Sequence, residues 1–598
     1  MAAPVKIGKM PAGEKEKVSI KRQAAVLKRL WKYLCRFKGT LILATFLAIT
    51  GNLLALVGPK LSGNAINAIS PGKGKVDFIA VGLYCLLMLI FYLISAAFSF
   101  ILNIIMIKLG RKVAMAMRKD LFDHFTKLPV GFFDKHQIGD LINRISYDID
   151  TINTSLSTDF VQICSSVITV VGSLIMMIVI SPALVSVFII TIPLSFLFTG
   201  YMSKKVRPLF RERNEKLGHL NGYVEEILSG QKTVKAYNRE DEMCQRFDRH
   251  NDKAVESYFK ADYYGSFIGP SMNLINNLSL SLVSILGAIL FFVGRISLGD
   301  ISAFVLYSRR FSGPINEFAN IISELQSATT AAERVFRLID EQPEPEDQEN
   351  AVSLADIKGL VELKNVKFGY NPDKTIIHNL SFTAQPGRIV AIVGPTGAGK
   401  TTIINLLMRF YDIDSGEILI DGHPIKSIQR SSLRAAYSMV LLDTWLFCGT
   451  IRDNIAYSRI DATDEEIVEA AKAAHIHSFI EKLPDGYDTV LSDDGVTISK
   501  GQKQLLTIAR AMLSKAQMLI LDEATSNVDS RTEKLIQSAM RNLMKDKTCF
   551  VIAHRLSTIQ NADTILVVRD GDIVEQGNHS ELMSKDSFYR ALYNAQFY

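Results

Sequence analysis

Two segments of this 598-residue chain carry side chains whose types and spacing suit phosphate chemistry. The first is Gly394-Pro395-Thr396-Gly397-Ala398-Gly399-Lys400-Thr401, which follows the apolar run Ile389 to Val393. Glycines at these intervals let successive backbone N–H groups converge on phosphate oxygens, at the positive end of a helix beginning near Lys400. The Lys400 ammonium would reach the β- and γ-phosphates, and the Thr401 hydroxyl would bind Mg²⁺. Thr402 is counted with the same nucleotide-binding loop. The second segment, Met518-Leu519-Ile520-Leu521-Asp522-Glu523, is a strand pattern ending in two carboxylates. Asp522 is placed for Mg²⁺, and Glu523 for orienting and deprotonating an attacking water. Standing alone the segment would read as an acidic turn, but the phosphate loop upstream favours catalysis. Between the two lies Ile498-Ser499-Lys500-Gly501-Gln502, followed by a helical pattern. Ser499, Gly501 and Gln502 thus sit at a helix N-terminus, a second natural anion site, although Ser499 would also serve as a plain N-cap.

The elements that position these residues begin near Leu360, where short β-rich runs alternate with amphipathic helices, the pattern of an α/β domain. The first half of the chain is different. A bilayer core of about 30 Å takes roughly 20 apolar residues in helix, because no water is there to satisfy the backbone. Spans are expected at about residues 39–58, 78–107, 160–180, 183–203, 268–294 and 299–325, with Ser181-Pro182 turning the third into the fourth. The sixth is the least regular, since Arg309, Arg310 and Glu317 interrupt it. Basic residues concentrate in the leader and in the long segments after the second and fourth spans, which places these, and both termini, in the cytoplasm. Ile20 to Phe37 alternates apolar and basic residues at helical spacing, as an interfacial helix would. The domains expected are a membrane domain at 1–330, a linker at 331–358 with a helical run to Asp340 and then an exposed acidic stretch at Gln342 to Asp347, and a nucleotide-binding domain at 359–598.

Composition agrees with that division and narrows the partners. The chain is 48% hydrophobic with a mean hydropathy of +0.17, and its net charge of +6 is too modest for an extended nucleic-acid surface. The six cysteines form no CxxC pair, so a disulfide framework or zinc site is not expected. No cleavable signal peptide is expected either, as no apolar core precedes Lys38.

The order of motifs resembles that of the ABC ATPases. Tyr370 matches the aromatic that stacks on adenine, and Ser499 to Gln502 the signature loop. Asp493 falls in the loop that contacts the transport domain, Asp529 in the D-loop, and His554 at the switch histidine that holds the γ-phosphate. In the first half, Phe132 to Asp148 resembles the first intracellular loop of type IV ABC exporters, and Tyr223 to Glu240, with Tyr237, the second. The resemblance implies an all-α membrane domain with six transmembrane helices followed by an α/β P-loop ATPase domain. It implies ATP and Mg²⁺ as cofactors, Lys400, Glu523 and His554 as catalytic residues, and Asp148, Tyr237, Leu442, Asp493 and Asp529 as coupling residues. Two positions depart from the pattern. Leu442 stands where the family has the Q-loop glutamine, and the signature has Ile498 for leucine and Lys500 for glycine.

An ABC signature acts on ATP held by the opposite domain, so the resemblance requires a second half-transporter subunit. An intact Glu523 beside an altered signature resembles one subunit of heterodimeric bacterial exporters, whose partner has a degenerate Walker B motif. The expected setting is the bacterial cytoplasmic membrane, multi-pass, with an amphipathic drug or lipid as cargo. A homodimeric lipid or drug flippase and an ATP-gated channel with weak turnover are the alternatives; a soluble DNA-repair ATPase is excluded by the spans. Arg309 and Arg310, near the bilayer midplane, are candidates for a substrate cavity, with structural ion bridges to Glu317 or to the partner as the alternative.

Overall fold

The computed structural model describes residues 20–69, 74, 76–354, 356–371, 373–441, 444–491, 498–523, 529–553 and 556–597. The chain divides into two units, Met1–Thr126 with Ile138–Glu341, and Lys127–Gln137 with Gln342–Tyr598.

The first unit is helical. Among the described residues, Gln23–Ile69, Phe78–Phe125, Ile138–Ile180, Pro182–Ser229 and Glu240–Phe292 are long and apolar enough to cross a membrane. A sixth long helix, Leu298–Ile339, falls outside that set because its charges lie mid-length. Its start is fixed by a capping box: the Ser297 hydroxyl accepts from the Asp300 N–H, and the Asp300 carboxylate accepts from the Ser297 N–H. Asp300 also pairs with Lys60 at 3.2 Å. The helix crosses Lys38–Ile69 at a glycine pair, Gly63 and Gly299. A Cβ on Gly299 would lie 2.0 Å from the Gly63 carbonyl oxygen, so only glycine admits this approach. Around it Leu56, Met177, Leu184, Phe188, Val283, Phe304, Tyr307 and Phe311 pack into one core. The turn at Ser181-Pro182 is sharp: Ser181 is extended, with φ −162° and ψ 106°, and Pro182 opens the next helix.

Residues 331–339, where a helical run is expected at the head of the linker, are helical and continuous with the sixth long helix, with Ala331, Ala332, Val335 and Phe336 buried. The helix runs on because its apolar stripe has something to cover: Tyr33 of the leader stacks on Phe336 at 6.0 Å, and Arg29 pairs with Asp340 at 2.6 Å. For the same reason the leader helix Ile20–Leu34 buries Val26, Leu30, Tyr33 and Leu34 in the protein, while Leu27 and Trp31 stay exposed. The acidic stretch is likewise partly docked. Glu344 bonds Arg434 at 2.5 and 3.1 Å, and Asp347 bonds the Arg430 guanidinium and backbone N–H at 2.7 and 2.9 Å.

In the second unit a six-stranded sheet runs Asp572–Gly577, Thr564–Arg569, Ile389–Val393, Thr548–Ala553, Met518–Glu523, Tyr437–Val440. The first pair is antiparallel and the rest are parallel. Parallel strands need helical crossovers on both faces, so both faces are buried and the strands read as continuous apolar runs. Val390, Ile392, Ile520 and Ile552 enter one core, and Ala391, Val393, Leu521 and Val551 the other. A four-stranded antiparallel sheet adjoins the first of these cores, in the order Ile377–Ala384, Val361–Phe368, Ser415–Ile420, His423–Pro424.

Candidate nucleotide site

The phosphate loop leaves the strand Ile389–Val393 and enters the helix Lys400–Leu407. Gly394, Gly397 and Gly399 all have positive φ, at 154°, 86° and 102°. At Gly394 the constraint is double, since a Cβ would lie 2.1 Å from the Val568 carbonyl oxygen. Lys400 curls back over the loop, its ammonium donating to the carbonyls of Gly394 at 2.8 Å and Pro395 at 2.9 Å. Burial lowers its proton affinity, and the nearby Asp522 carboxylate acts in the opposite sense. Thr401 is exposed at the first turn, while Thr402 is buried.

Register explains how the carboxylates reach this loop. Ile552 pairs with Ile392 on one side and with Asp522 on the other. Asp522 therefore stands two strand spacings, about 10 Å, from the phosphate-loop strand, level with its C-terminal end. Glu523 is the next residue, opposite Ala553. Its side chain, together with Leu442, Asp493 and His554, lies outside what is described.

Tyr370 is half-buried, and its hydroxyl donates to Thr402 Oγ1 at 3.3 Å and accepts from Asn405 Nδ2 at 3.1 Å, both on the helix after the loop. Its ring meets Tyr411 edge-on at 4.9 Å. Tyr411 in turn donates to Asp134 at 2.5 Å. Asp134 lies in the short helix Val130–Lys135, within the segment expected to be the first intracellular loop, and belongs to the nucleotide unit. Burial and the Asp134 carboxylate push the Tyr411 phenol well above its ordinary pKa. Unlike Tyr370, Tyr411 is marked by no local pattern, since its partner is 277 positions away.

Ser499 caps the helix Lys500–Leu513 in a reciprocal box, its hydroxyl accepting from the Gln502 N–H and its own N–H donating to Gln502 Oε1. Ile498 is buried in the core, whereas Lys500 is exposed. One turn short of the helix end, Arg510 donates to the Asn454 carbonyl at 2.8 Å and side chain at 3.0 Å, and to the Trp445 carbonyl at 3.1 Å. Arg510 thereby ties the signature helix to the segment that follows Leu442 in sequence, a role that its place on an apolar helix gave no hint of. Asp529 caps Ser530–Met544 through the N–H groups of Arg531 and Thr532, which hold its carboxyl below the usual carboxylate range.

Two stretches match family models, ABC transporter transmembrane region at residues 41–315 and ABC transporter at residues 377–526. An uncharacterized ABC transporter ATP-binding protein, YfiC of Bacillus subtilis, is 43% identical over 98% of this chain and 96% of its own length. This chain belongs to the ABC transporter family. Also similar is a fatty acid ABC transporter ATP-binding/permease protein of Mycobacterium bovis, 46% identical over 87% of this chain and 82% of its own. Among solved structures, a bacterial Atm1-family ABC exporter with ATP bound covers 94% of this chain and 98% of its own, with 31% identity and a TM-score of 0.77. The chain is thus a type IV ABC exporter, a helical membrane domain followed by an ABC ATPase domain, which hydrolyses ATP and couples hydrolysis to export. ABC exporters work as dimers.

For an ABC exporter the membrane unit holds the remaining sites. Asp148 is buried, with Arg334 donating from Nε at 2.9 Å and from Nη2, and Arg144 at 3.0 Å. It is therefore the centre of an ion cluster within the membrane unit. Tyr237, by contrast, is exposed after the short helix Gln231–Ala236.

The two arginines of the sixth long helix part company. Arg310 donates to the Ala55 carbonyl at 2.9 Å, which Pro59, four residues on, cannot satisfy because it has no N–H. Tyr307 donates to the next carbonyl, Leu56, at 2.6 Å. Arg309 is exposed and heads a stripe with Gly313, Glu317, Asn320 and Glu324. The expected bridge from Glu317 to an arginine is not what forms: Glu317 accepts from Gln162 at 2.8 Å.

Proposed function

We propose that this chain is one half of a heterodimeric exporter of amphipathic small molecules, lipids or drugs, in the bacterial cytoplasmic membrane with both termini in the cytoplasm. The observation that carries the reading is the pairing of an intact Glu523 with a signature altered at Ile498 and Lys500. One composite site then hydrolyses ATP, formed by this chain's loop and carboxylates and the partner's signature; the other mainly holds it. ATP closes the two ATPase domains, the spans turn outward and release cargo, and hydrolysis resets them. Thr401 and Asp522 fit Mg²⁺ as oxygen donors, and the ion when bound neutralises phosphate charge. Expressed alone, the chain should be poorly active, and co-expression with a partner lacking the Walker B glutamate should restore drug-stimulated ATPase. Full stimulated activity from a purified homodimer would favour the flippase alternative.

Arg309 supports an anionic or neutral cargo. With the helix starting at Leu298, it lies about 17 Å in, near the bilayer midplane, where a cation faces water, protein or an anion rather than lipid. The relative named a fatty acid ABC transporter, whose cargo by that name is a carboxylate, points the same way. Arg309→Gln is expected to slow transport of anionic dyes about tenfold, the worth of one charge-assisted hydrogen bond, with cationic dyes spared. Arg310→Gln should leave selectivity unchanged and lower stability by about 1–2 kcal/mol, because an in-membrane carbonyl loses its donor. Paired dye transport and thermal unfolding of both variants separate the two roles. If Arg309→Gln leaves selectivity as it was, the cavity assignment fails.

Leu442 is expected to blunt turnover, since leucine neither ligates a metal nor orients water. Leu442→Gln should raise substrate-stimulated ATPase about tenfold, the low end of the range for metal-site outer-shell changes. No change, or a fall, would mean the loop has been rebuilt around leucine.

A further inference from the structure

The leader helix and the cytoplasmic ends of the spans enclose a small apolar pocket that export does not explain. It has a volume of about 110 Å³ and is lined by Leu27, Leu30, Trp31, Leu34, Ile152 and Phe160 among others. Its floor includes Ala328 and Thr329, whose hydroxyl is already spent on the carbonyls of Leu325 and Gln326. Any occupant therefore meets methyl and methylene groups. At the rim, Trp31 lies 6.3 Å from Phe160, and Ser155 and Leu156 come from a π-helical turn, Ser155–Asp159, a widening often found at binding sites. An apolar pocket offers water few hydrogen-bond partners and so favours apolar groups.

The charges beside the pocket select the occupant. Leu27 and Trp31 alternate with Lys28 and Lys32, both exposed and neither in an ion pair among the described residues. Arg29 and Arg36 on the same segment are already engaged, with Asp340 and Asp120. A basic amphipathic helix that leads straight into a span lies at the membrane surface, with its free lysines at headgroup level. We propose that this pocket seats a segment of one acyl chain of an anionic phospholipid, whose headgroup is held by Lys28 and Lys32. Because the leader packs on the end of the sixth long helix, the bound lipid stabilises that junction. The proposal is independent of the cargo.

The chain contains two tryptophans, so Trp445→Phe leaves Trp31 as the sole reporter in the full-length protein. Reconstituted in phosphatidylcholine vesicles, Trp31 should be half-quenched by dibrominated phosphatidylglycerol at a mole fraction about fivefold or more below that needed with dibrominated phosphatidylcholine, the effect of at least one headgroup–lysine contact. Lys28→Gln with Lys32→Gln should erase the difference between the lipids. Ala328→Leu, which fills the floor, should reduce quenching by both. Equal quenching by the two lipids would overturn the proposal, and so would quenching unaltered by Ala328→Leu, since Trp31 would then merely be sampling the bilayer. Should Ala328→Leu fail to fold, the surface lysine pair still decides.

Discussion

Glu523→Gln is expected to leave ATP binding intact and to cut turnover by at least about a hundredfold, the usual worth of a positioned general base. Glutamine keeps the size and the hydrogen-bonding reach of the side chain but cannot accept a proton. The position argues for the role: Glu523 ends the strand Met518–Glu523, one residue beyond Asp522, whose charge is felt by Lys400 in the phosphate loop. Parallel strands deliver all their C-terminal ends to one edge of the sheet, and ligands of such sheets bind along that edge. Steady-state ATPase of the purified exporter, measured beside nucleotide binding, separates the two effects. Near-normal turnover in the variant would remove Glu523 from the chemistry. Loss of binding together with turnover would instead make it a structural residue.

The turn of the phosphate loop was legible from sequence because its parts are local. Eight consecutive residues make the loop, and the glycines are required one by one by backbone angles and close contacts, as at Gly394. Five spans were legible because a lipid-facing helix must be apolar along its length. The sixth, expected at 299–325, was the least regular, and the reason is physical. Its charge at Arg310 answers a carbonyl 255 positions earlier, one that a proline in another helix leaves without a donor. No window of sequence contains both halves of that pair. The same holds for Tyr411 with Asp134, and for the acidic residues beyond the sixth long helix. Those read as exposed linker because the arginines they bind, Arg430 and Arg434, are more than eighty residues away. The helical run to Asp340 was legible, but its continuity with the span was not, because the expected boundary at 330 followed composition. What carries the helix past residue 330 is the leader helix lying against it.

Asp148 shows how far such a hidden pair can matter. Its carboxylate is almost wholly out of water, at 1% exposure, and holds two guanidinium groups, one from Arg144 a turn before and one from Arg334, 186 positions on. Removing one partner of a buried ion pair costs about 3–5 kcal/mol, because the charges left behind have lost both water and counter-ion. Here the arginine side chains keep 29% and 35% of their exposure, so part of that cost is recovered by hydration. Asp148→Asn is therefore expected to destabilise the membrane unit by about 2–4 kcal/mol, visible as a lowered unfolding midpoint in detergent. Arg334→Gln alone should be costly too, since it strands a buried carboxylate. Asp148→Asn combined with Arg334→Gln should fall short of the sum of the single effects by about 0.5–3 kcal/mol, the signature of a direct pair. Strict additivity would mean that the two residues act separately. An unchanged midpoint in Asp148→Asn would show that the cluster is no clamp, and would return Asp148 to the coupling role that its place in the first intracellular loop implies.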